Sequence, residues 1–255
     1  MTTRDLLQQC SVIFGTYRVG SEVMKQGFSQ FSIIDTATGY GNLSDVGAAL
    51  ASLEAKPMII AKFNPDDLVD FSQSSNQVVK DIGKDPEIVL LRSPVADNVS
   101  TLRLFRERFP RALIGVSNFD IARLQILIDN NCKPDVISLE CSPYYQPKKL
   151  VQFCCDNDII VTGYRVLVKG EACKDPVILM LAQKYNTSPV SVLLTWSLRH
   201  KVIPIYATNN PDHLNVDIIP NLAFDDIMLI DSLDKGEEGL TSVATCMLKH
   251  CGHDF

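Results

Sequence analysis

Along the chain, short continuous apolar runs alternate with longer stretches in which apolar residues recur every three or four positions. A run of aliphatic and β-branched residues bounded by turn formers predicts a strand buried on both faces, and the longer period predicts an amphipathic helix. Strands are expected over residues 12–14, 31–34, 58–62, 87–91, 112–116, 136–139, 159–163 and 202–205. Helices are expected over 21–26, 43–53, 74–82, 99–109, 120–128, 148–155, 176–185 and 189–199, with another starting near 211. Asn42 and Asp120 stand where N-caps belong, and Asp175-Pro176 and Ser188-Pro189 are helix openings.

Strands that read as continuous rather than alternating apolar runs, each followed by a helix, belong to a parallel sheet covered on both faces. Eight such units close a (β/α)8 TIM barrel, an α/β fold in one domain over residues 1–255, with about 240–255 expected as a disordered C-terminal tail. An open doubly wound sheet would carry a GxGxxG turn after its first strand, and the chain has none there.

Composition narrows the function. With 46% hydrophobic and 21% charged residues the chain is an ordinary globular protein, and its net charge of -6 argues against nucleic-acid or anionic-membrane partners. No apolar run approaches the roughly 20 residues of a membrane span, and MTTRDLLQQC lacks a signal-peptide core, so a cytoplasmic location is expected. The eight cysteines form no CxxC pair and read as reduced thiols. Cys246, His250, Cys251 and His253 lie close together near the C-terminus, but their spacing fits no usual zinc pattern and no metal is expected.

The segment FSIIDTATGYGN, residues 31–42, concentrates the candidate chemistry. Its apolar run stops at Asp35, and Tyr40 follows in a Gly-rich stretch. A carboxylate at the mouth of a buried sheet needs a cation, and Lys62 stands at the end of the next run. Barrel sites gather where strands end, which adds Arg92, Ser117, Asn118, Ser138, Glu140, Tyr164 and Thr208. Plainer roles are open to each: Asp35 and Lys62 as a structural ion pair, Ser117-Asn118 as a cap, Tyr164 as rim packing, and Arg92 as a solvated or paired strand end.

IIDTATGYGN (33–42), Lys62, IGVSNF (114–119), LECSPYYQ (139–146), VTGY (161–164) and NNPDHL (209–214), in that order over about residues 12–218, resemble the aldo-keto reductase family. The resemblance implies reduction of a small aldehyde or ketone by NADPH, with NADH also open. It makes Tyr40 the general acid, with Lys62 and Asp35 the ion pair behind it. Ser117 and Asn118 would hold the nicotinamide carboxamide, and Tyr164 would stack on its ring. A neighbouring ammonium is expected to lower the phenol pKa from its usual value near 10.

The chain also departs from the family pattern. Arg92 stands where a catalytic His is usual; it keeps donors for a carbonyl oxygen and becomes the fourth catalytic candidate, although it could instead pair with Asp35 or Glu140. Ser138 replaces a Gln, while Ala207, Thr208 and His213 replace the Lys-Ser and Arg that grip a 2′-phosphate. Arg165 follows Tyr164 where a small residue is common, within reach of a pyrophosphate. The alternative these changes leave open is a barrel retained as a cofactor-binding or regulatory subunit with a protein partner.

Overall fold

The computed structural model describes residues 1–240; the cysteine and histidine cluster and the expected tail disorder lie outside the described residues. Eight parallel strands form a closed barrel in sequence order: β1 (Ile13–Gly15), β2 (Ile33–Ala37), β3 (Met58–Phe63), β4 (Ile88–Leu91), β5 (Leu113–Ser117), β6 (Val136–Glu140), β7 (Ile160–Tyr164) and β8 (Val202–Tyr206), with β1 pairing both β2 and β8. The helices are α1 (Thr3–Gln9), α2 (Ser21–Gln30), α3 (Leu43–Ala51), α4 (Phe71–Ile82), α5 (Asn98–Arg108), α6 (Ile121–Asp129), α7 (Lys148–Asp156), α8 (Pro176–Lys184), α9 (Pro189–Arg199) and α10 (Phe224–Asp231).

The strands divide the apolar residues between two cores. Phe14, Ile34, Ile59, Phe63, Val89, Val116, Ile137 and Val161 point outward into the layer beneath the helices. Ile13, Ile33, Ile60, Ile88, Leu90, Val136, Ile160 and Ile203 fill the barrel interior, with Leu7 of α1 packed among them. Side chains two apart on a strand share a face, so Asp35, Lys62, Arg92 and Ser138, each two positions beyond an interior residue, stand in the next interior layer. That parity assembles the site.

Several boundaries differ from the sequence reading. Asp35 is the central residue of β2, which runs on to Ala37, because hydrogen bonds and pairing satisfy Asp35 and Thr36 inside the sheet. Helix α2 continues to Gln30 despite Gly27, where an added Cβ would lie 2.8 Å from the Phe14 ring. Asp120 caps α6 by accepting from the Arg123 N–H, as expected. Asn42 occupies the α3 N-cap without making a cap bond; its Nδ2 instead donates to the Thr16 carbonyl at 2.9 Å. Near residue 211 only a 3-10 turn forms, Pro211–His213, and the helix comes later as α10. Helix α1 was not expected, although Thr2 and Asp5 form a capping box at its start.

Candidate active site

At the C-terminal mouth of the barrel lies a cavity of about 430 Å³. Asp35, Tyr40, Lys62, Arg92, Ser117, Asn118, Tyr164, Arg165 and Thr208, all expected from the sequence, line it together. Ser138 is fully buried beside Ser117 in the β5–β6 register, outside the cavity wall, and its hydroxyl has no partner among the described residues. His213 is exposed on the 3-10 turn after β8, also outside the wall, with its Nε2 3.3 Å from Asn210 Nδ2.

Asp35 and Lys62 are buried on adjacent strands, Lys62 two positions beyond Ile60, the register partner of Asp35. The Lys62 ammonium donates to both carboxylate oxygens at 2.6 Å. Burial works against charge on both groups and holds the Asp35 pKa above the usual carboxylate range despite the pull of Lys62. On Lys62, burial is outweighed by the Asp35 carboxylate and by Tyr40, and its pKa is raised. The contact has the bidentate geometry of an ion pair.

Tyr40 ends the 3-10 turn Thr38–Tyr40, which Gly41 leaves at φ +70°. The turn is fixed by Asp67, whose Oδ2 accepts from the Thr38 hydroxyl at 2.5 Å and the Asn64 N–H at 2.6 Å. The Lys62 ammonium lies 5.8 Å and Arg92 Cζ 5.4 Å from the ring centroid of the half-buried Tyr40, and the Tyr17 ring centroid lies 5.0 Å away. The net pKa direction corrects the sequence expectation: burial raises the Tyr40 pKa by more than Lys62 and Arg92 lower it, and Asp35 adds to the rise. The carboxylate that fixes the ammonium also cancels much of its field at the phenol.

Arg92 does not pair with Asp35 or Glu140. It forms no ion pair among the described residues, and its Nη1 donates to Asn64 Oδ1 at 2.8 Å. Asn118, at φ +63°, donates from Nδ2 to the Arg92 carbonyl at 3.0 Å and accepts at Oδ1 from the Tyr164 hydroxyl at 2.5 Å. Burial pushes the Tyr164 pKa well up, so its hydroxyl remains a donor. Ser117 donates to the Ser138 carbonyl at 2.8 Å. Ser117-Asn118 thus ties strands together, while Asp120 caps the helix that follows.

The sequence reading missed Tyr17, Arg18, Lys169 and Asn209, which line the same cavity from the loops after β1, β7 and β8. Tyr17 and Arg18 stand two and three residues past the end of β1, so the rule that found Tyr40 applies to them too. Asn209 joins two of these loops, accepting from the Gly20 N–H at 2.8 Å and donating to the Arg18 carbonyl at 2.5 Å. No local signal marks that bridge.

Residues 112–234 match the model of the Aldo/keto reductase family. Methylglyoxal reductase DkgB of Yersinia pestis is 29% identical over 248 residues, covering 88% of this chain and 92% of that protein. In sequence the chain is thus similar to aldo-keto reductases. Glyoxal reductase of Bacillus subtilis is 32% identical to this chain over 139 residues, covering 53% of this chain and 50% of that protein. A solved aldo-keto reductase from a Medee basin deep-sea metagenome library shares the fold at a TM-score of 0.84 and 22% identity, covering 91% of this chain and 93% of its own. These likenesses place the chain among the oxidoreductases. No helix among the described residues is long and apolar enough to cross a membrane.

Proposed function

We propose that this chain is an aldo-keto reductase that reduces an aldehyde or ketone to the alcohol with a nicotinamide dinucleotide, NADPH or NADH. The observation that carries the reading is the buried Asp35–Lys62 ion pair with its ammonium 5.8 Å from the Tyr40 ring centroid, all three residues lining the cavity. Donors on the wall fit a dinucleotide: Arg165 Nη1 is buried without a partner among the described residues, and Arg18, Lys169, Ser117 and Asn118 line the same space. Arg165 would take the pyrophosphate, Ser117 and Asn118 the carboxamide, Tyr164 the ring face, and Thr208 the adenosine end; Ser138 and His213 are not part of the cavity lining.

When bound, the reduced dinucleotide supplies hydride to the carbonyl carbon. Tyr40 gives its hydroxyl proton to the carbonyl oxygen, so the product is the neutral alcohol and the phenolate is left beside Lys62. Lys62 stabilises that phenolate, Asp35 keeps the ammonium in place, and solvent returns the proton. Arg92, with its Cζ 5.4 Å from the Tyr40 ring centroid, adds positive field where negative charge develops on oxygen. The names of the relatives favour a small oxo-aldehyde such as methylglyoxal or glyoxal.

The experiment follows NADPH and NADH oxidation with these aldehydes, with Tyr40→Phe as control. Dinucleotide-dependent turnover that falls at least about 100-fold in Tyr40→Phe is expected. Equal activity in the two proteins refutes the role of Tyr40. Ala207, Thr208 and His213, which lack the cations of a 2′-phosphate grip, favour the second reading, a binding or regulatory barrel. Dinucleotide binding with no turnover of any carbonyl would establish it.

A further inference from the structure

The cations around the cavity are not equivalent. Lys62 is matched by Asp35 at 2.6 Å, and Arg18, Arg165 and Lys169, from the loops after β1 and β7, are the donors given above to the dinucleotide. Arg92 remains. It is half-buried on the cavity wall, and among the described residues the only acidic side chain lining that wall is Asp35, already bound to Lys62.

The fold fixes the Arg92 backbone on both sides, and Asn64 holds its guanidinium. The Arg92 N–H donates to the Phe63 carbonyl at 2.8 Å, and Asn118 Nδ2 holds the Arg92 carbonyl at 3.0 Å. Asn64 accepts from Nη1 at 2.8 Å. Gly39 provides the clearance: a Cβ there would lie 2.4 Å from Nη1 and 2.6 Å from Asn64 Nδ2. A guanidinium has five N–H donors, and the bond to Asn64 is the one hydrogen bond its side chain makes among the described residues. The donors left over form a fixed planar fork beside Tyr40, the shape that takes a carboxylate bidentately.

We propose, resting on the carbonyl-reductase reading, that Arg92 is a specificity-determining residue that seats a substrate carboxylate beside the reacting carbonyl, so that the preferred substrates are short oxo-carboxylates. Neutral oxo-aldehydes lack the group that would occupy this seat. The carboxylate takes no part in the bond changes; it orients the carbonyl toward the Tyr40 hydroxyl.

The full-length protein is assayed with NADPH on two acid and ester pairs, pyruvate with methyl pyruvate and 4-oxobutanoate with its methyl ester, in wild type, Arg92→Met and Arg92→Gln. Gln retains a donor for Asn64 but not the charge. The expected result is an acid-to-ester ratio of kcat/KM that falls about 10- to 100-fold in both variants for at least one pair, mainly through KM. Calorimetric titration of acids and esters into the same proteins is expected to show acid binding that both variants lose, a readout independent of turnover, with thermal melting confirming that they fold. Tyr40-dependent turnover with an acid-to-ester ratio unmoved by either variant overturns the proposal and leaves the reductase reading standing. Arg92-dependent acid binding without turnover of any compound sustains the carboxylate seat and removes the reductase reading. Absence of acid binding together with an unmoved ratio, or a preference for glyceraldehyde 3-phosphate over both acids, overturns the carboxylate assignment.

Discussion

The ammonium of Lys62 sits 2.6 Å from each carboxylate oxygen of Asp35, a diagonal contact between adjacent strands inside the barrel. Two buried charges in this arrangement stabilise the fold only jointly, because removing one leaves the other uncompensated in a poorly solvated site. Lys62→Met is therefore expected to lower unfolding stability by about 3–5 kcal/mol. Adding Asp35→Leu removes the stranded charge and should recover most of that loss, although the double variant has no catalytic pair. Urea unfolding midpoints of the two variants test this; a double variant no more stable than Lys62→Met would contradict it.

The Tyr40 and Lys62 titrations set an alkaline limit. The Tyr40 pKa is raised chiefly by burial, so the phenol keeps its proton through neutral pH. Carbonyl reduction should be flat there and decline only as pH passes the ordinary phenol value of about 10. The Lys62 pKa is raised too, with burial opposing and Asp35 prevailing. A raised folded-state lysine contributes stability that is fully present below its unfolded pKa of about 10.4 and is lost as pH climbs through the folded value. Initial rates and melting temperatures measured across the alkaline range should fall in that window, and a half-loss of kcat near neutrality that Tyr40→Phe abolishes would contradict the raised Tyr40 pKa.

Arg165 offers a test that separates binding from stability. Its Nη1 is buried without an acceptor among the described residues, at the wall of the cavity and on left-handed backbone at φ +64°. An unsatisfied buried donor destabilises the free protein and is relieved when an anion arrives. Arg165→Met should leave the melting temperature unchanged or raise it, while the Kd for NADPH, followed by fluorescence titration, rises about 10- to 100-fold. An unchanged Kd would take the phosphate away from Arg165.

Much of this architecture can be read from the chain because its signals are local. Continuous apolar runs give the strands, and the need of a buried carboxylate for a cation links Asp35 to Lys62 before any fold is drawn. The misreadings occur where a distant group decides. The β2 end was placed at Asp35 because a charged residue usually ends an apolar run, whereas its partner on β3 lets the strand continue. The Tyr40 shift takes its sign from burial and from Asp35, neither visible when only the neighbouring ammonium is considered. His213 follows β8 in sequence as the motif requires, but the 3-10 turn holds it outside the cavity.

Gly47 shows the same division in a single residue. Within helix α3 a glycine is unfavourable by about 1 kcal/mol relative to alanine, so helix propensity alone predicts that Gly47→Ala stabilises the protein. The packing predicts the opposite. A Cβ at position 47 would lie 1.8 Å from the Asp81 carbonyl oxygen and 2.9 Å from its carbon, backbone atoms of α4 that cannot turn aside as a side chain would. Accommodating the methyl group requires α3 and α4 to separate along a contact that includes Val46, Leu50, Val78 and Ile82, all buried in the outer core. Overpacking of this kind typically destabilises by about 1–3 kcal/mol, enough to reverse the propensity gain. Urea unfolding of Gly47→Ala should therefore show a lower midpoint than wild type with an unchanged slope, and a higher midpoint would mean that the two helices are not in such close contact.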